Sequence, residues 1–330
     1  MPNRKLIDAY NRRLNYLRIS ITDRCNLKCI YCVPEDLIPR LPHGEILRYE
    51  EILRIVNVGV DLGITKVRVT GGEPLVRKGV YDFLGQLTRI RGLRDVALTT
   101  NGIVLKQNID KIKSAKIKRI NISLDTLNRE KYAKTTGLDK FQQVWQGIEL
   151  AQKSGFDPIK INVVALRGVN QDELTSFARL SLSHPFHIRF IEYMPIGKAH
   201  MNFDPPLLIP EIKDRIATIG KLEEIQKDRY DGPAERYKFE GARGEIGFIG
   251  ALSCHFCDAC NRLRLTASGG LRPCLLSDHQ LDIKGPLRNG CSNTQLADIL
   301  LAAVSKKPSG HHLEINDPVG ISSQMSSIGG

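Results

Sequence analysis

Apolar, strand-like runs alternate with helix-like segments through the first two thirds of the chain, and this alternation limits the folds available to it. The predicted strands are residues 17–22, 66–70, 95–100, 119–124, 160–166 and 187–193. The predicted helices are residues 49–62, 78–90, 105–115, 141–154 and 171–183. Repeated strand–helix units favour parallel strands joined by right-handed crossovers. Six units are two short of a closed (β/α)8 barrel, so the pattern predicts an α/β fold, a partial (β/α)6 TIM-like barrel with its chemistry at the carboxyl ends of the strands.

The alternation ends near residue 230, where glycine and proline punctuate the chain. Short strands are predicted at residues 236–240, 245–251, 262–266 and 270–274, and a helix at 293–304. We therefore predict a barrel domain over residues 1–230 and a smaller, mostly antiparallel domain over residues 231–330 that covers the open side of the barrel. The segment from Lys306 to Gly330 is rich in Ser, Gly, Pro and His and is predicted to be flexible.

Three cysteines, Cys25, Cys29 and Cys32, follow the first predicted strand in the spacing C-x3-C-x2-C. Structural zinc sites take four protein ligands, and ordinary iron–sulfur clusters take four cysteines. Three thiolates on a four-iron cluster would leave one iron open to a small molecule. The alternatives are a zinc site completed by a distant ligand, or buried cysteines that happen to be close.

The other five of the eight cysteines begin more than 200 residues later, a grouping that argues for metal binding and against a disulfide framework. Cys257, Cys260 and Cys274 form a C-x2-C-x13-C set. With Cys254 just before them, a zinc ribbon is an alternative to a second cluster with an open iron. Cys291 has no partner at motif spacing and is interpreted as a small apolar residue.

Polar residues follow the next predicted strands. The sequence Thr70-Gly71-Gly72-Glu73-Pro74 offers two glycines that let the backbone approach a ligand, and a carboxylate that could accept from an ammonium group. The segments 99–102 and 123–126 carry hydroxyl and amide groups that suit a cofactor, although turn and helix-cap chemistry explains them as well.

The net charge is +12, from 48 Lys and Arg against 36 Asp and Glu. The basic residues are spread along the chain without a run of five, so a small polyanionic substrate explains the excess at least as well as a nucleic acid. Arg18, Arg68 and Lys160 lie in or beside predicted strands, where a buried cation needs an anionic partner unless it points outward or is paired with an acid.

No apolar run approaches the roughly 20 residues that span a bilayer, and the first residues lack an apolar signal core. The sequence therefore predicts a cytoplasmic protein with neither a membrane nor a nucleic acid as its partner.

Taken together, C-x3-C-x2-C, GGEP, the run from Phe256 to Thr266, the gap to Cys274 and the terminal Gly-Gly resemble the GTP 3′,8-cyclases of molybdenum cofactor biosynthesis, the MoaA family of radical S-adenosylmethionine (SAM) enzymes. The resemblance extends from Arg18 to Gly330 and implies two [4Fe-4S] clusters and SAM as cofactors. The cluster ligands it implies are Cys25, Cys29, Cys32, Cys257, Cys260 and Cys274. The SAM contacts it implies are Tyr31, Gly72, Ser123 and Met194.

The GTP contacts implied by the resemblance are Arg18, Arg68, Thr99, Lys160, Arg262, Leu263 and Arg264. A catalytic role is implied for Arg262, Arg264, Gly329 and Gly330, with the glycine tail entering the cavity between the clusters. The implied reaction converts GTP into (8S)-3′,8-cyclo-7,8-dihydroguanosine 5′-triphosphate through a 5′-deoxyadenosyl radical. Implied partners are an external electron donor and a downstream cyclic pyranopterin monophosphate synthase, with a homodimer left open.

Two rival functions stay open at this point. Another radical SAM enzyme with an auxiliary cluster, acting on a peptide, would share the first motif but would not bind GTP. A zinc-ribbon nucleic-acid binder is favoured only by the net charge and the spacing of the later cysteines.

Overall fold

The computed structural model describes residues 4–32, 40–197, 205–226, 232–253, 256–311, 321 and 323–329. Strands within these ranges are β1 (Tyr16–Ser20), β2 (Lys66–Thr70), β3 (Asp95–Thr100), β4 (Arg119–Ser123), β5 (Ile159–Ala165), β6 (Phe186–Glu192), β7 (Leu222–Ile225), β8 (Glu235–Phe239), β9 (Glu245–Ile249), β10 (Arg262–Leu265), β11 (Gly270–Arg272) and β12 (Leu281–Asp282). The helices are α1 (Tyr49–Asp61), α2 (Val80–Thr88), α3 (Leu105–Ser114), α4 (Arg129–Thr136), α5 (Phe141–Lys153), α6 (Leu174–Ser183), α7 (Ile209–Ala217), α8 (Lys284–Arg288), α9 (Asn293–Ser305) and α10 (Met325–Ile328). Three short 3₁₀ turns cover His43–Glu45, Pro74–Val76 and Cys257–Ala259.

The first six strands lie side by side in chain order, each parallel to the next. Each predicted strand of the barrel is present within one or two residues of its expected bounds. The prediction of an α/β fold with an open, six-unit barrel is therefore confirmed.

Four helices were not predicted: α4, α7 and the short helices α8 and α10. Helix α4 is polar and buries only a few side chains, so it has no apolar stripe; the Asn128 side chain caps its start, and Gly137, with a φ of 77°, ends it. Helix α7 is short and has a proline in its first turn. It follows a stretch whose prolines indicate a loop.

The later part of the chain extends the same sheet at both edges instead of forming a sheet of its own. Strand β10 pairs in parallel with β1, and β9 pairs in parallel with β6. Antiparallel partners then continue outward, and the complete order is β12-β11-β10-β1-β2-β3-β4-β5-β6-β9-β8-β7. Strand β10 thereby becomes part of the wall of the barrel.

Side chains of β1 alternate between two environments. Leu17 and Ile19 are buried in the apolar layer under the helices, whereas Tyr16 and Arg18 face the central cavity. Burial of one such Leu or Ile side chain stabilises the fold by roughly 1.5–3 kcal/mol. The helices thus cover an apolar outer face, and the inner face is free to carry polar groups. No helix in the described ranges has the length and apolarity to cross a membrane.

Candidate functional site

The first three cysteines lie on the loop that leaves the carboxyl end of β1, and all three border the central cavity. Backbone amides of Lys28 and Ile30 donate to the carbonyl oxygens of Thr136 and Thr135, both at 3.0 Å, which ties the loop to the end of α4. Burial raises the pKa of all three thiols, that of Cys32 to about 12. The free thiols are therefore protonated near neutral pH, and a metal centre would have to displace those protons.

The two glycines after β2 bring that loop against the cysteine loop. The amide of Gly72 donates to the carbonyl of Thr22 at 2.7 Å, and the amide of Glu73 donates to the carbonyl of Arg24 at 2.8 Å. A Cβ on Gly72 would lie 2.4 Å from the carbonyl oxygen of Arg24, and one on Gly71 would lie 2.8 Å from that of Thr22. The glycines are required here because two backbones meet, and both also border the cavity.

Glu73 does not face the cavity. It is 0 % exposed, and its carboxylate accepts from the amides of Leu75 (3.0 Å) and Asn101 (2.7 Å) and from the hydroxyl of Thr100 (2.8 Å). Burial raises its pKa to about 7. The expectation that Glu73 accepts from a ligand ammonium group is therefore wrong: this side chain joins the loops after β2 and β3.

Tyr31 is held by Asp125, whose role the sequence did not separate from turn chemistry. The Tyr31 hydroxyl donates to Asp125 Oδ2 at 2.6 Å, and the amide of Val164 donates to Oδ1 at 2.8 Å. Burial raises the pKa of Asp125 to about 6 and that of Tyr31 well above its ordinary value. Asp125 thus fixes the aromatic residue of the first cysteine loop against β5. Thr126, by contrast, bonds to Glu173 and has a structural role.

The predicted cofactor contacts Gly72, Ser123 and Met194 border the cavity, and each lies at or just after the carboxyl end of its strand, the edge that also carries the first cysteine loop. Thr99 also borders the cavity, and its Oγ1 atom is buried without a hydrogen-bond partner in the described part of the chain.

Three arginines form a row across neighbouring strands of the barrel wall. The strand register aligns Arg264 of β10 with Arg18 of β1, and Arg18 with Arg68 of β2. All three border the cavity. Burial lowers the pKa of Arg18 to about 10, and burial together with Arg18 and Arg262 lowers that of Arg264 well below its ordinary value. Neighbouring strands lie about 4.8 Å apart, so the row concentrates positive charge that an anionic ligand would stabilise.

The need for an anionic ligand is clearest at Arg68. It is only 8 % exposed, it has no carboxylate partner among the described residues, and its Nε atom is buried without a hydrogen bond. Its guanidinium lies 5.7 Å from the centre of the Tyr16 ring. A buried guanidinium with unused donors fits a bound phosphate or carboxylate.

Two other predicted contacts lie outside the cavity wall. Leu263 is fully buried in the apolar layer, so only its backbone can face a ligand. Lys160 of β5 is buried two residues below Asn162, which does border the cavity. Arg189 of β6 borders the cavity as well, and sequence reasoning missed it. An arginine inside the apolar run Phe-His-Ile-Arg-Phe-Ile is the signal that identified Arg18 and Arg68, and it would have found Arg189.

The second cysteine group lies at the opposite end of the barrel. Cys257 and Cys260 precede β10, which runs parallel to β1, so they are at the edge where the barrel strands begin. Strand β11 returns antiparallel and brings Cys274 to that same edge. All three border the cavity. Since the five-residue strand β1 spans roughly 17 Å, the two cysteine loops face each other along the length of the cavity.

Cys260 differs from the other thiols in its electrostatic surroundings. Burial alone would raise its pKa, but the positive charges of Arg262 and Lys307 outweigh this effect and lower the pKa to about 6. Arg262 lies 4.6 Å from the centre of the Phe256 ring. Cys254 lies outside the described residues. Cys291 packs against the apolar core, as predicted for a small apolar residue.

In the described ranges, no three His, Cys, Asp or Glu side chains converge as a single metal ion would require. A four-iron cluster places each thiolate on a separate iron, so its cysteines need not meet at one point. The seven described cysteines are free thiols, so the sulfur atoms of both three-cysteine sets are available as cluster ligands.

The end of the chain is packed into the site. Met325 and Ser326 of α10 border the cavity, and Arg264 Nη1 donates to the carbonyl of Gly329 at 2.9 Å. Lys307 is also buried. The prediction of a flexible segment from Lys306 onward is therefore wrong for these residues; Gly330 lies outside the described part of the chain.

Two family signatures together match most of the chain. The signature of the Radical SAM superfamily matches residues 19–181, and that of "Molybdenum Cofactor Synthesis C" matches residues 186–313. A GTP 3′,8-cyclase of Thermodesulfovibrio yellowstonii is 48% identical, over 98% of this chain and 99% of that protein. A GTP 3′,8-cyclase of Moorella thermoacetica is 50% identical, over 93% of this chain and 95% of that protein.

Two solved structures share the fold. SuiB of Streptococcus suis bound to S-adenosylmethionine superimposes with a TM-score of 0.61 at 14% identity, over 93% of this chain and 78% of that one. The anSMEcpe protein with bound AdoMet gives a TM-score of 0.60 at 17% identity, over 89% of this chain and 80% of that one.

Proposed function

We infer that this chain, which belongs to the GTP 3′,8-cyclase family of radical SAM enzymes, converts GTP into (8S)-3′,8-cyclo-7,8-dihydroguanosine 5′-triphosphate, the first step of molybdenum cofactor biosynthesis. The observation that carries this function is the row of three arginines in a cavity that has a three-cysteine loop at each end. A peptide-modifying activity is not favoured, because the relatives at 48% and 50% identity are cyclases.

The cofactors are two [4Fe-4S] clusters and SAM. We assign the first cluster to Cys25, Cys29 and Cys32, and the second to Cys257, Cys260 and Cys274. When bound, the first cluster and SAM would supply a 5′-deoxyadenosyl radical, which takes the hydrogen atom from the 3′ carbon of the GTP ribose. The bond between that carbon and C8 of the guanine would leave a radical on the guanine, and one further electron and one proton would complete the dihydro product.

The residues at the first cysteine loop would hold SAM. Tyr31, Gly72, Ser123 and Met194 all border the cavity there. The hydrogen bond to Asp125 fixes the Tyr31 ring, and the glycine backbone of the β2 loop leaves room beside the cysteines. Their task is to place the adenosyl carbon close to the ribose, since orientation of the reacting atoms supplies much of the rate.

The arginine row would hold the triphosphate of GTP. Guanidinium groups bind phosphate through forked donation, and each charge-assisted hydrogen bond contributes roughly 1.5–3 kcal/mol. The proposed GTP contacts are Arg18, Arg68, Thr99, Lys160, Arg262, Arg264 and the backbone of Leu263. Arg262, Arg264, Gly329 and Gly330 keep their proposed catalytic role, which the hydrogen bond from Arg264 to the Gly329 carbonyl supports.

Three finer points stay part of this proposal. The boundary between a barrel domain and a second domain lies near residue 230. An external donor supplies the electron that SAM cleavage consumes and the electron that reduces the cyclised radical, and a cyclic pyranopterin monophosphate synthase takes up the product.

The test is an anaerobic assay with SAM, a reductant and GTP deuterated at the 3′ carbon of the ribose. We expect deuterium to appear in 5′-deoxyadenosine, and 5′-deoxyadenosine formation to depend on GTP. Deuterium-free 5′-deoxyadenosine that forms at the same rate without GTP would contradict the proposed function.

A further inference from the structure

The segment that follows α9 packs against the second cysteine group, and the buried Lys307 in it connects the backbone near Cys260 to the backbone near Cys274. Lys307 is 4 % exposed. Its ammonium donates to the carbonyl of Arg262 at 3.0 Å and to the carbonyl of Pro273 at 2.6 Å. Arg262 lies two residues after Cys260, and Pro273 directly precedes Cys274. One side chain therefore sets the separation of two of the three cysteines.

Arg12, near the other end of the chain, forms a hydrogen bond with the backbone carbonyl of the third cysteine, Cys257. It is 8 % exposed, and its guanidinium donates to the carbonyl of Cys257 at 2.7 Å and to the carbonyl of Ser309 at 2.9 Å. A further bond reaches the carbonyl of Pro308. Residues 308–309 continue directly from Lys307, so the two cations and this short segment connect all three cysteines.

The orientation of Arg12 is itself fixed. The buried carboxylate of Asp8 accepts from Arg12 Nε at 2.6 Å and from the amides of Tyr10 (3.0 Å) and Arg12 (2.9 Å). A buried, paired guanidinium with several directed bonds holds its partners more rigidly than an exposed lysine would.

The positive charge of Lys307 also lies close to the cysteine side chains, since its ammonium group forms a hydrogen bond with the side chain of Cys260 and interacts electrostatically with Cys274. Charge and hydrogen bonds at the ligand sulfurs are among the factors that set the reduction potential of an iron–sulfur cluster. A nearby cation stabilises the more negative, reduced form of a cluster and so raises that potential.

We propose that Arg12 and Lys307 are positioning residues for the second cluster, and that the charge of Lys307 makes this cluster easier to reduce. The proposal rests on the proposed function, because it requires a cluster on Cys257, Cys260 and Cys274.

The experiment uses the full chain with both clusters, reconstituted without oxygen. The variants are K307M, K307R and R12M, and the matched controls are K306M and R13M, which change exposed neighbours in the same way. The second cluster is identified as the one whose electron paramagnetic resonance signal changes when GTP is added. Its midpoint potential is measured by redox titration, and its stability by the rate of iron loss to a chelator.

We expect K307M to shift the midpoint potential of the second cluster to a more negative value, and K307R to keep the wild-type value. Both K307M and R12M should lose iron from this cluster roughly tenfold faster than the wild type, as outer-shell substitutions commonly do. The signal of the first cluster and both controls should be unchanged.

An unchanged potential and unchanged iron loss in K307M and R12M would overturn the inference. Equal shifts in K307M and K306M would overturn it too, because the effect would then be one of general surface charge. Wild-type protein with iron for one cluster only would instead contradict the proposed function.

Discussion

Replacing Lys160 with Met should abolish a proton uptake that accompanies GTP binding. Lys160 is 4 % exposed, and the charges that lower its pKa most are those of the cations Arg189, Arg119, Arg68 and Lys66. Burial and then these like charges lower its pKa to about 5. At pH 8 the free enzyme would hold this side chain neutral, with about 0.1% protonated, and protonation would cost about 4 kcal/mol.

A triphosphate that reaches Lys160 beneath the cavity wall, as the proposed contact requires, would reverse this balance. One phosphate charge about 4 Å from an ammonium contributes about 4 kcal/mol at an effective dielectric constant near 20. That is about 3 pKa units, which brings the pKa of Lys160 to the pH of the experiment, and a second phosphate charge raises it further. GTP binding at pH 8 should therefore take up close to one proton. The γ-phosphate contributes little at this pH, because the second pKa of a phosphate lies near 6.

The assay is isothermal titration calorimetry of GTP binding at pH 8 in buffers with different enthalpies of ionisation. The slope of the observed enthalpy against the buffer enthalpy gives the number of protons taken up. We expect close to one for the wild type and for K153M, whose lysine is exposed, and close to zero for K160M. Equal slopes for the wild type and K160M would refute the reasoning.

The same lowered pKa fixes the sign of a stability effect. Between the folded-state pKa of about 5 and the ordinary value of 10.5, the unfolded chain binds one more proton at Lys160 than the folded chain does. The free energy of unfolding therefore rises with pH across this range. In K160M this contribution disappears, so denaturant unfolding without GTP should show a shallower rise with pH, a result that needs no assumption about the substrate.

Two glycine substitutions test the loops that shape the cavity. In G72A the added Cβ would lie 2.4 Å from the carbonyl oxygen of Arg24, so the first cysteine loop must move. We expect this variant to lose iron from the first cluster only, measured as iron per chain. The control G85A, whose added Cβ has its nearest contact at 3.9 Å, should keep both clusters. Gly329 has a φ of +71°, and in G329A the added Cβ would lie 2.6 Å from Thr70 Cγ2, so the end of the chain must leave its place beside Arg264. We expect turnover to fall at least tenfold while the iron content stays complete. The control G44A, whose added Cβ meets no atom within 4 Å, should keep wild-type turnover. Retention of the first cluster by G72A would contradict the first prediction, and full turnover by G329A would contradict the second.

The barrel could be predicted because its strands are apolar on the side that meets the helices and are separated by regular helices. Dependence on this apolar pattern also explains why some elements were not predicted. Helix α4 buries little apolar surface, and no period of apolar residues marks it. The parallel pairing of β10 with β1 could not be predicted either, since the two strands are far apart in sequence and only the folded sheet brings them together.

The two cysteine groups and two of the cavity arginines, Arg18 and Arg68, could be singled out from residue type and spacing, but the contacts of Glu73 and Lys307 could not. A carboxylate beside two glycines is compatible with ligand binding and with bridging two loops; only the burial of Glu73 and its three donors decide between them. Lys307 stands in a polar, glycine-rich segment that composition marks as flexible. Its burial depends on two carbonyl groups that come from β10 and from the end of β11.

The direction of β10 decides where the two cysteine groups stand. A strand antiparallel to β1 would begin at the carboxyl edge of the barrel and would place Cys260 beside Cys25. Because β10 is parallel to β1, the residues just before it lie at the amino edge, and the row of Arg264, Arg18 and Arg68 lies between the two groups. A ligand that reaches from one cysteine group toward the other must therefore pass this row. The parallel register of one strand is thus the feature that separates the two cysteine groups and puts the positive charge of three arginines between them.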